Sequence, residues 1–256
     1  TTIRTLLDLL RPSRGTARLF GLDSHRDSVA IRQRVGNLPT EFALDDRLSG
    51  AALLRLYARL RGVGDLSYAH DLARRLGAEL NRPTRRLSRG NKQKIGLLLA
   101  LFHRPELLIL DEPTGGLDPL VQEEFLSIVR ETKAEGRTVF FSSHVLSEVE
   151  RVCDRVGIIK DGRLLAVEPT AELLGRQLRR VSLLFDAPVD PAPFAALPGV
   201  RDLAADGPRL AFMLGGDLDA LLKLAARHTV LDLHLSQPSL EEVFLGLYGE
   251  RGGERA

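Results

Sequence analysis

Short apolar runs alternate with amphipathic segments along the first three-quarters of the chain, and this alternation predicts strands and helices in turn. Leu107–Leu110 and Thr138–Ser142 are apolar-rich runs between polar residues, which is typical of strands buried in a parallel sheet. Ala51–Leu60, Leu66–Leu76 and Pro119–Lys133 carry apolar stripes at helical spacing. The pattern predicts an α/β fold.

Shorter signals fill the rest of this region. Asp161-Gly162 predicts a tight hairpin, because both residue types accept the positive φ angles that such a turn needs. The remaining predicted elements are the strands Thr16–Leu22, Arg34–Pro39, Val156–Ile159 and Arg163–Val167 and the helix Val145–Val152.

The pattern changes after Gly175, where a β-α-β-β-α-β order typical of a ferredoxin-like α+β domain begins. Its predicted elements are Val181–Phe185, Pro191–Leu197, Val200–Ala204, Arg209–Leu214, Leu218–Ala226 and Val230–Leu235, followed by an amphipathic helix at Ser239–Leu247. We therefore expect an α/β core in residues 1–175, with a helical subdomain at about 42–103, and a small C-terminal domain in residues 179–248.

Composition excludes several classes of protein. The chain has 256 residues, 44% hydrophobic and 27% charged, as in an ordinary soluble globular protein. The formal net charge of +2 comes from interspersed acids and bases, which does not favour a nucleic-acid partner. Cys153 is the single cysteine and excludes an intramolecular disulfide. No apolar run reaches the ~18–20 residues that span a bilayer.

The first candidate chemistry is the pair Asp111-Glu112 at the end of the apolar run Leu107–Leu110. Ligands of open α/β sheets bind beyond the carboxyl ends of the strands. One carboxylate there suits Mg²⁺, and the other suits a water that attacks a phosphate. On these residues alone, a buried strand followed by a solvated turn is equally compatible.

The following residues extend the run to LLILDEPTGGLD, which resembles the Walker B strand and D-loop of ABC ATPases. The resemblance implies a P-loop NTPase-like core that binds ATP and Mg²⁺. It also implies roles for three carboxylates: Asp111 holds Mg²⁺, Glu112 is the general base or orients the water, and Asp118 lies in the loop that crosses a dimer interface.

Leu87–Lys94 reads as a helix start, with Ser88 as the cap and amides that attract phosphate. An ordinary cap is the plain alternative. Beside LLILDEPTGGLD, the segment resembles the ABC signature motif LSGGQ, with Arg89 and Asn91 as departures. In that family the motif binds the γ-phosphate held by a second subunit, which implies a homodimer. The resemblance implies that the nucleotide-binding residues of this motif are Ser88, Arg89, Gly90 and Asn91.

Two further segments resemble ABC motifs. His144 follows the run Phe140–Ser143, where the family has its switch histidine, and the resemblance implies that it contacts the γ-phosphate. Val35–Glu41 resembles the Q-loop but has no glutamine. Thr40 takes its place, with Glu41 as the next candidate.

The phosphate-binding loop G-x-x-x-x-G-K-[ST] has no match in the sequence. Thr1–Leu7 resembles the start of the helix that follows that loop, and Thr16–Asp23 resembles the family's hairpin after that helix. The resemblance therefore implies a chain truncated before Thr1. Thr1 itself is either an α-phosphate contact or a frayed terminus. We expect the chain alone to hydrolyse little ATP.

The closing residues of the C-terminal region resemble the appended domain of ABC-2-type exporter ATPases, whose role we leave open between dimer stabilisation, regulation and plain extension. The resemblance as a whole predicts the ATP-hydrolysing subunit of an exporter, on the cytoplasmic face of the membrane, with a separate transmembrane permease as partner and no nucleic acid. Two alternatives stay open: a non-transport ABC ATPase of translation or DNA repair, and an interaction module without ATPase activity.

Overall fold

The computed structural model describes residues 1–175 and 179–236. The contacts within the chain divide it into two compact units, Thr1–Val145 and Leu146–Ala256. The sequence placed the domain boundary at 175–179, and that placement stays a prediction. The predicted helix Ser239–Leu247 lies outside the described residues.

The first unit is a small parallel sheet with helices before and between its strands. The sheet has the order β3-β4-β5. The elements of this unit are α1 (Thr2–Leu6), β1 (Arg18–Leu19), β2 (Leu22–Asp23), α2 (Ser28–Arg34), β3 (Val35–Leu38), α3 (Gly50–Arg61), α4 (Ser67–Arg75), α5 (Arg89–Leu101), β4 (Leu107–Asp111), α6 (Pro119–Ala134) and β5 (Thr138–Ser142).

The central strand β4 is the core of this sheet, because its four leucine and isoleucine residues are all buried. Leu107 and Ile109 pack in one cluster with Leu7 and Ile31. Burial on both sides explains why β4 is continuously apolar up to Asp111, where the strand reaches the polar edge of the sheet.

The predicted helical subdomain contains α3, α4 and α5. Ser49 caps α3 by accepting a hydrogen bond from the amide of Ala52, and Gly62 ends it in the left-handed conformation. Helix α5 is buried from Ile95 to Leu101, so it anchors the subdomain while its polar N-terminus stays partly exposed.

One prediction for the first unit needs correction, and one helix was missed. The single strand Thr16–Leu22 predicted from the pattern is wrong, whereas the hairpin that the family resemblance implies at Thr16–Asp23 is present as β1 and β2. Phe20 and Gly21 adopt φ angles of 57° and 79° that reverse the chain there. Helix α2 was missed because it is short and Ile31 is its one buried residue, while its other apolar residues Val29 and Ala30 are exposed and form no stripe with it at helical spacing.

The second unit contains a hairpin and a four-stranded antiparallel sheet. Asp161 and Gly162 turn the hairpin with φ angles of 49° and 73°, as predicted. The elements are α7 (Leu146–Val152), β6 (Arg155–Lys160), β7 (Arg163–Pro169), α8 (Thr170–Gly175), β8 (Arg179–Phe185), α9 (Ala192–Ala195), β9 (Val200–Asp206), β10 (Arg209–Leu214), α10 (Asp219–Ala225) and β11 (Val230–Ser236).

The four-stranded sheet has the order β11-β8-β10-β9, and every neighbouring pair is antiparallel. One face is a closed apolar core in which Val181, Leu183 and Phe185 pack with Phe194 of α9 and Leu221 of α10. The element order is the predicted one, and assignment to the ferredoxin-like class stays a prediction. In the part of the chain that the structure describes, no helix is long and apolar enough to cross a membrane.

Candidate active site

Strands β4 and β5 bring the predicted carboxylates to one edge. The two strands are parallel neighbours, and Asp111 lies opposite Ser142 in the register. Because the two strands are parallel, the residues that follow their carboxyl ends lie at the same edge of the sheet. Ser142 Oγ donates a hydrogen bond to Asp111 Oδ1, so the carboxylate is held from the side by the neighbouring strand.

Glu112 leaves the sheet through a sharp turn. Its φ angle is 52°, in the left-handed region that few residues other than glycine adopt. The Glu112 amide donates to the Ser142 carbonyl at 3.1 Å, and its own carbonyl accepts from the Gly115 amide at 3.3 Å. A strained conformation that is fixed on both sides is common at functional sites.

His144 meets Glu112 at this edge. The distance between His144 Nδ1 and Glu112 Oε2 is 2.6 Å. The histidine side chain is 81% exposed and that of the glutamate 28%, so the pair is open to a ligand from solvent. The structure therefore brings Asp111, Glu112 and His144 together, as the sequence predicted; the role of each stays a prediction.

The oxygen donors at this edge fit Mg²⁺. No cluster of three or more His, Cys, Asp or Glu residues able to hold a metal occurs in residues 1–175 and 179–236. Mg²⁺ keeps several waters and is usually held by one or two carboxylates together with substrate phosphates. Asp111, with its Ser142 hydrogen bond, offers this kind of donor set.

The tip of α5 lies close to the loop that follows Glu112. Ser88 caps the helix by accepting from the Asn91 amide at 3.2 Å. A Cβ atom on Gly90 would lie 2.7 Å from the Gly116 carbonyl oxygen, so only glycine allows this approach. Ser88 and Arg89 are exposed and remain available to a ligand.

Asn91 makes contacts that the sequence did not predict. Its Oδ1 accepts from the Glu79 amide at 2.8 Å, and its Nδ2 donates to the Glu79 carbonyl at 3.1 Å. The side chain thereby ties the start of α5 to the segment after α4. Nucleotide binding by Asn91 stays a prediction, and in this structure both polar atoms of its side-chain amide form hydrogen bonds with the Glu79 backbone.

Gln93 and Lys94 connect α5 to the 113–118 loop and were also missed. Gln93 is buried, and its Nε2 donates to the Pro113 carbonyl at 2.9 Å. Lys94 Nζ lies 3.7 Å from Asp118 Oδ2. A glutamine inside the apolar stripe of α5 was the signal that could have identified the first contact.

Asp118 caps helix α6. Its Oδ1 accepts from the Val121 amide at 3.0 Å, with Pro119 at the first helical position. This hydrogen bond, with the nearby Lys94 charge, lowers the pKa of Asp118 below its usual value. A carboxylate therefore stays ionised at the start of α6.

The structure does not join Thr1 and Thr40 to the other predicted residues. The carbonyl of Thr1 accepts from Thr5 within α1, and the Thr1 side chain makes no cap hydrogen bond. Thr40 and Glu41 are exposed in the segment after β3. Their nucleotide contacts stay predictions.

Comparison with protein families and curated proteins gives consistent matches. The family model described as "AAA domain, putative AbiEii toxin, Type IV TA system" matches residues 30–150. The bacitracin transport ATP-binding protein BcrA of Bacillus licheniformis is 32% identical over 97% of this chain and 84% of its own length. Mouse ATP-binding cassette sub-family A member 7 is 35% identical over 99% of this chain, which spans 13% of that protein. The chain spans 54% of a Nostoc ABC transporter ATP-binding protein.

Solved structures share the fold. One, the ATP-binding subunit of an ABC transporter, has a TM-score of 0.62 at 31% identity and covers 67% of this chain and 74% of its own. The dimeric ATP-binding cassette MJ0796 bound to ADP and Pi has a TM-score of 0.60 at 20% identity, and the match covers 66% of this chain and 79% of MJ0796. At this identity the likeness shows the fold alone. These likenesses confirm the fold class predicted for the core.

Proposed function

The chain belongs to the ABC transporter ATP-binding proteins, and from that premise we propose that it provides the ATP-hydrolysing machinery of an exporter that moves its substrate through a separate transmembrane subunit. The observation that carries the proposal is the 2.6 Å contact between His144 and Glu112 beside Asp111. These three side chains are the groups needed to hold a metal and direct a water at a terminal phosphate.

In this proposal each residue acts on bound ATP. Asp111 would hold Mg²⁺, which neutralises charge on the phosphate oxygens when bound. Glu112 would accept a proton from, or orient, the attacking water, and His144 would fix Glu112 and contact the γ-phosphate. Hydrolysis then depends on positioning and charge stabilisation rather than on a covalent intermediate.

A second copy of the chain would complete the site. Ser88, Arg89 and Gly90 are at an α5 tip whose amides suit a phosphate, and the solved relative MJ0796 is dimeric. We propose that the tip of one subunit closes over ATP held by the other, with Asp118 at the interface.

The free side of strand β5, at the edge of the described parallel sheet, supports the proposal that a further strand pairs there in the active protein. Strand β5 pairs only with β4 among the described strands, and Phe140 in it is 45% exposed. Parallel strands are normally covered and paired on both sides. Since the sequence lacks a phosphate loop, we propose that a strand carrying that loop pairs with β5 in the active protein.

The first test compares ATP hydrolysis by the 256-residue chain with that by a form extended to include the residues encoded upstream. We expect Mg²⁺-dependent phosphate release from the extended form and little from the shorter one, because the loop amides and lysine make the main β- and γ-phosphate contacts. Equal release from both forms, or none from the extended form, contradicts the proposal.

A second test addresses the partner. The extended protein is purified from a membrane extract of its source under mild detergent. Co-purification of a polytopic membrane protein supports the transport role. Co-purification of ribosomes or DNA instead favours a non-transport ATPase.

A further inference from the structure

We propose that Ser142 is a positioning residue for ATP hydrolysis, which holds both Asp111 and Glu112 from the neighbouring strand. The inference rests on the proposed function, because it concerns the alignment of the same site. The family resemblance assigns no role to Ser142, which the sequence predicts as the last residue of a buried strand, two positions before His144.

The side chain of Ser142 provides the first contact. Its Oγ donates to Asp111 Oδ1, across the register position where the two residues are paired. Within the described residues, this hydrogen bond uses one carboxylate oxygen of Asp111 and leaves Oδ2 for a metal or its water. Hydrogen bonds to a ligating carboxylate fix its orientation, as outer partners do in other metal sites.

The main chain of Ser142 provides the second contact. Its carbonyl accepts from the Glu112 amide at 3.1 Å, beyond the last paired residues of the ladder. Glu112 has a φ angle of 52°, a conformation that persists only when its surroundings fix it. The bond therefore helps to set the direction in which Glu112 reaches His144, 2.6 Å away.

The two contacts can be separated by mutation. Any residue at position 142 keeps the main-chain carbonyl, whereas only serine or threonine keeps the hydroxyl. Ser142→Ala thus removes the contact with Asp111 alone, and Ser142→Thr retains it. Thr138→Ala is a matched control, because Thr138 is an exposed residue at the other end of the same strand.

The experiment uses the upstream-extended protein and measures phosphate release as the Mg²⁺ concentration is varied. We expect Ser142→Ala to raise the half-maximal Mg²⁺ concentration about tenfold, the lower limit typical of lost outer partners of a metal ligand. Ser142→Thr is expected to stay within about threefold of the wild type, and Thr138→Ala to match it. Nucleotide binding measured without Mg²⁺ should be the same in all four proteins.

An unchanged Mg²⁺ dependence in Ser142→Ala overturns the proposal, as does equal impairment of the alanine and threonine variants, which would indicate packing rather than the hydroxyl. Asp111→Asn separates this result from failure of the proposed function. If Asp111→Asn shifts the Mg²⁺ dependence and Ser142→Ala does not, only the role of Ser142 is lost. If neither variant shifts it, Asp111 is not the metal carboxylate, and the proposed site fails too.

Discussion

The parallel sheet β3-β4-β5 and the antiparallel sheet β11-β8-β10-β9 differ in where their strands end. In the parallel sheet, all carboxyl ends lie on one edge, and Asp111, Ser142 and His144 meet there. In the antiparallel sheet, neighbouring strands end on opposite edges, and the side chains concentrate in a one-sided apolar core. The parallel sheet therefore brings polar side chains from different strands to one edge, whereas the antiparallel sheet forms an apolar core.

The largest expected effect concerns the apolar core of the antiparallel sheet. Leu183 is fully buried in β8, so Leu183→Ala should cost about 3 kcal/mol of local stability. Hydrogen exchange of the β8 and β10 amides in the intact protein checks this expectation. The control Leu231→Ala changes a 63% exposed side chain in β11 and should have little effect. Slower ATP hydrolysis per folded molecule by Leu183→Ala in the upstream-extended protein would contradict the division of roles between the two sheets.

The next effect tests the catalytic edge. His144→Ala should lower ATP hydrolysis about a hundredfold, within the range for acid–base groups, and leave stability unchanged because the side chain is 81% exposed. His25→Ala is a matched control: His25 also pairs with a carboxylate, Asp8, at 2.9 Å, but in another part of the first unit. Steady-state phosphate release by the upstream-extended protein measures both variants, and equal losses would remove the special role of His144.

The strand ends were predictable because the sequence has a sharp change there from apolar to acidic residues. Leu107–Leu110 is completely buried, and such a run followed by Asp111-Glu112 has few other structural explanations. The hairpin turn at Asp161-Gly162 was predictable for a similarly local reason, its positive φ angles.

Contacts between distant segments were not predictable in the same way. Asn91 binds the backbone of Glu79, and no local pattern in the sequence specifies that pairing. Ser142 contacts Asp111 only because β5 and β4 align in one particular register. Short helices such as α2 and α8 lack a repeating apolar stripe, so their existence depends on tertiary packing.

A smaller effect concerns the α5 tip. Gly90→Ala places a Cβ 2.7 Å from the Gly116 carbonyl oxygen, so the helix tip must move away from the 113–118 loop. In the upstream-extended protein we expect ATP hydrolysis to fall about tenfold, equivalent to ~1.4 kcal/mol, with ATP binding retained. Gly64→Ala is the control, since a Cβ there meets nothing within 4 Å. A Gly90→Ala enzyme with unchanged hydrolysis would show that the close approach is dispensable.

The smallest expected effect concerns His103, which belongs neither to the catalytic edge of the parallel sheet nor to the apolar core of the antiparallel sheet. Burial, reinforced by the Arg61 and Arg137 charges, lowers the pKa of His103 to about 4. An unfolded histidine takes up its proton near pH 6.5. The stability from neutral His103 is therefore complete above pH 6.5 and is lost as the pH falls toward 4.

Urea unfolding between pH 4 and 7 tests this expectation. His103→Gln should flatten the loss of stability on acidification by at most about 1.4 kcal/mol per pH unit. The exposed His70 provides the control His70→Gln, which should keep the wild-type pH dependence. An unchanged slope in His103→Gln would contradict the burial argument.

ATP binding and hydrolysis by Glu112→Gln in the upstream-extended protein test the proposed catalytic site most directly. The substitution keeps the size of the side chain that faces His144 and removes its charge. We expect ATP to bind with near-normal affinity while single-turnover hydrolysis slows at least ~100-fold. Glu106→Gln, just before β4 at the opposite end of the same strand, should hydrolyse ATP normally. Normal turnover by Glu112→Gln would contradict the account.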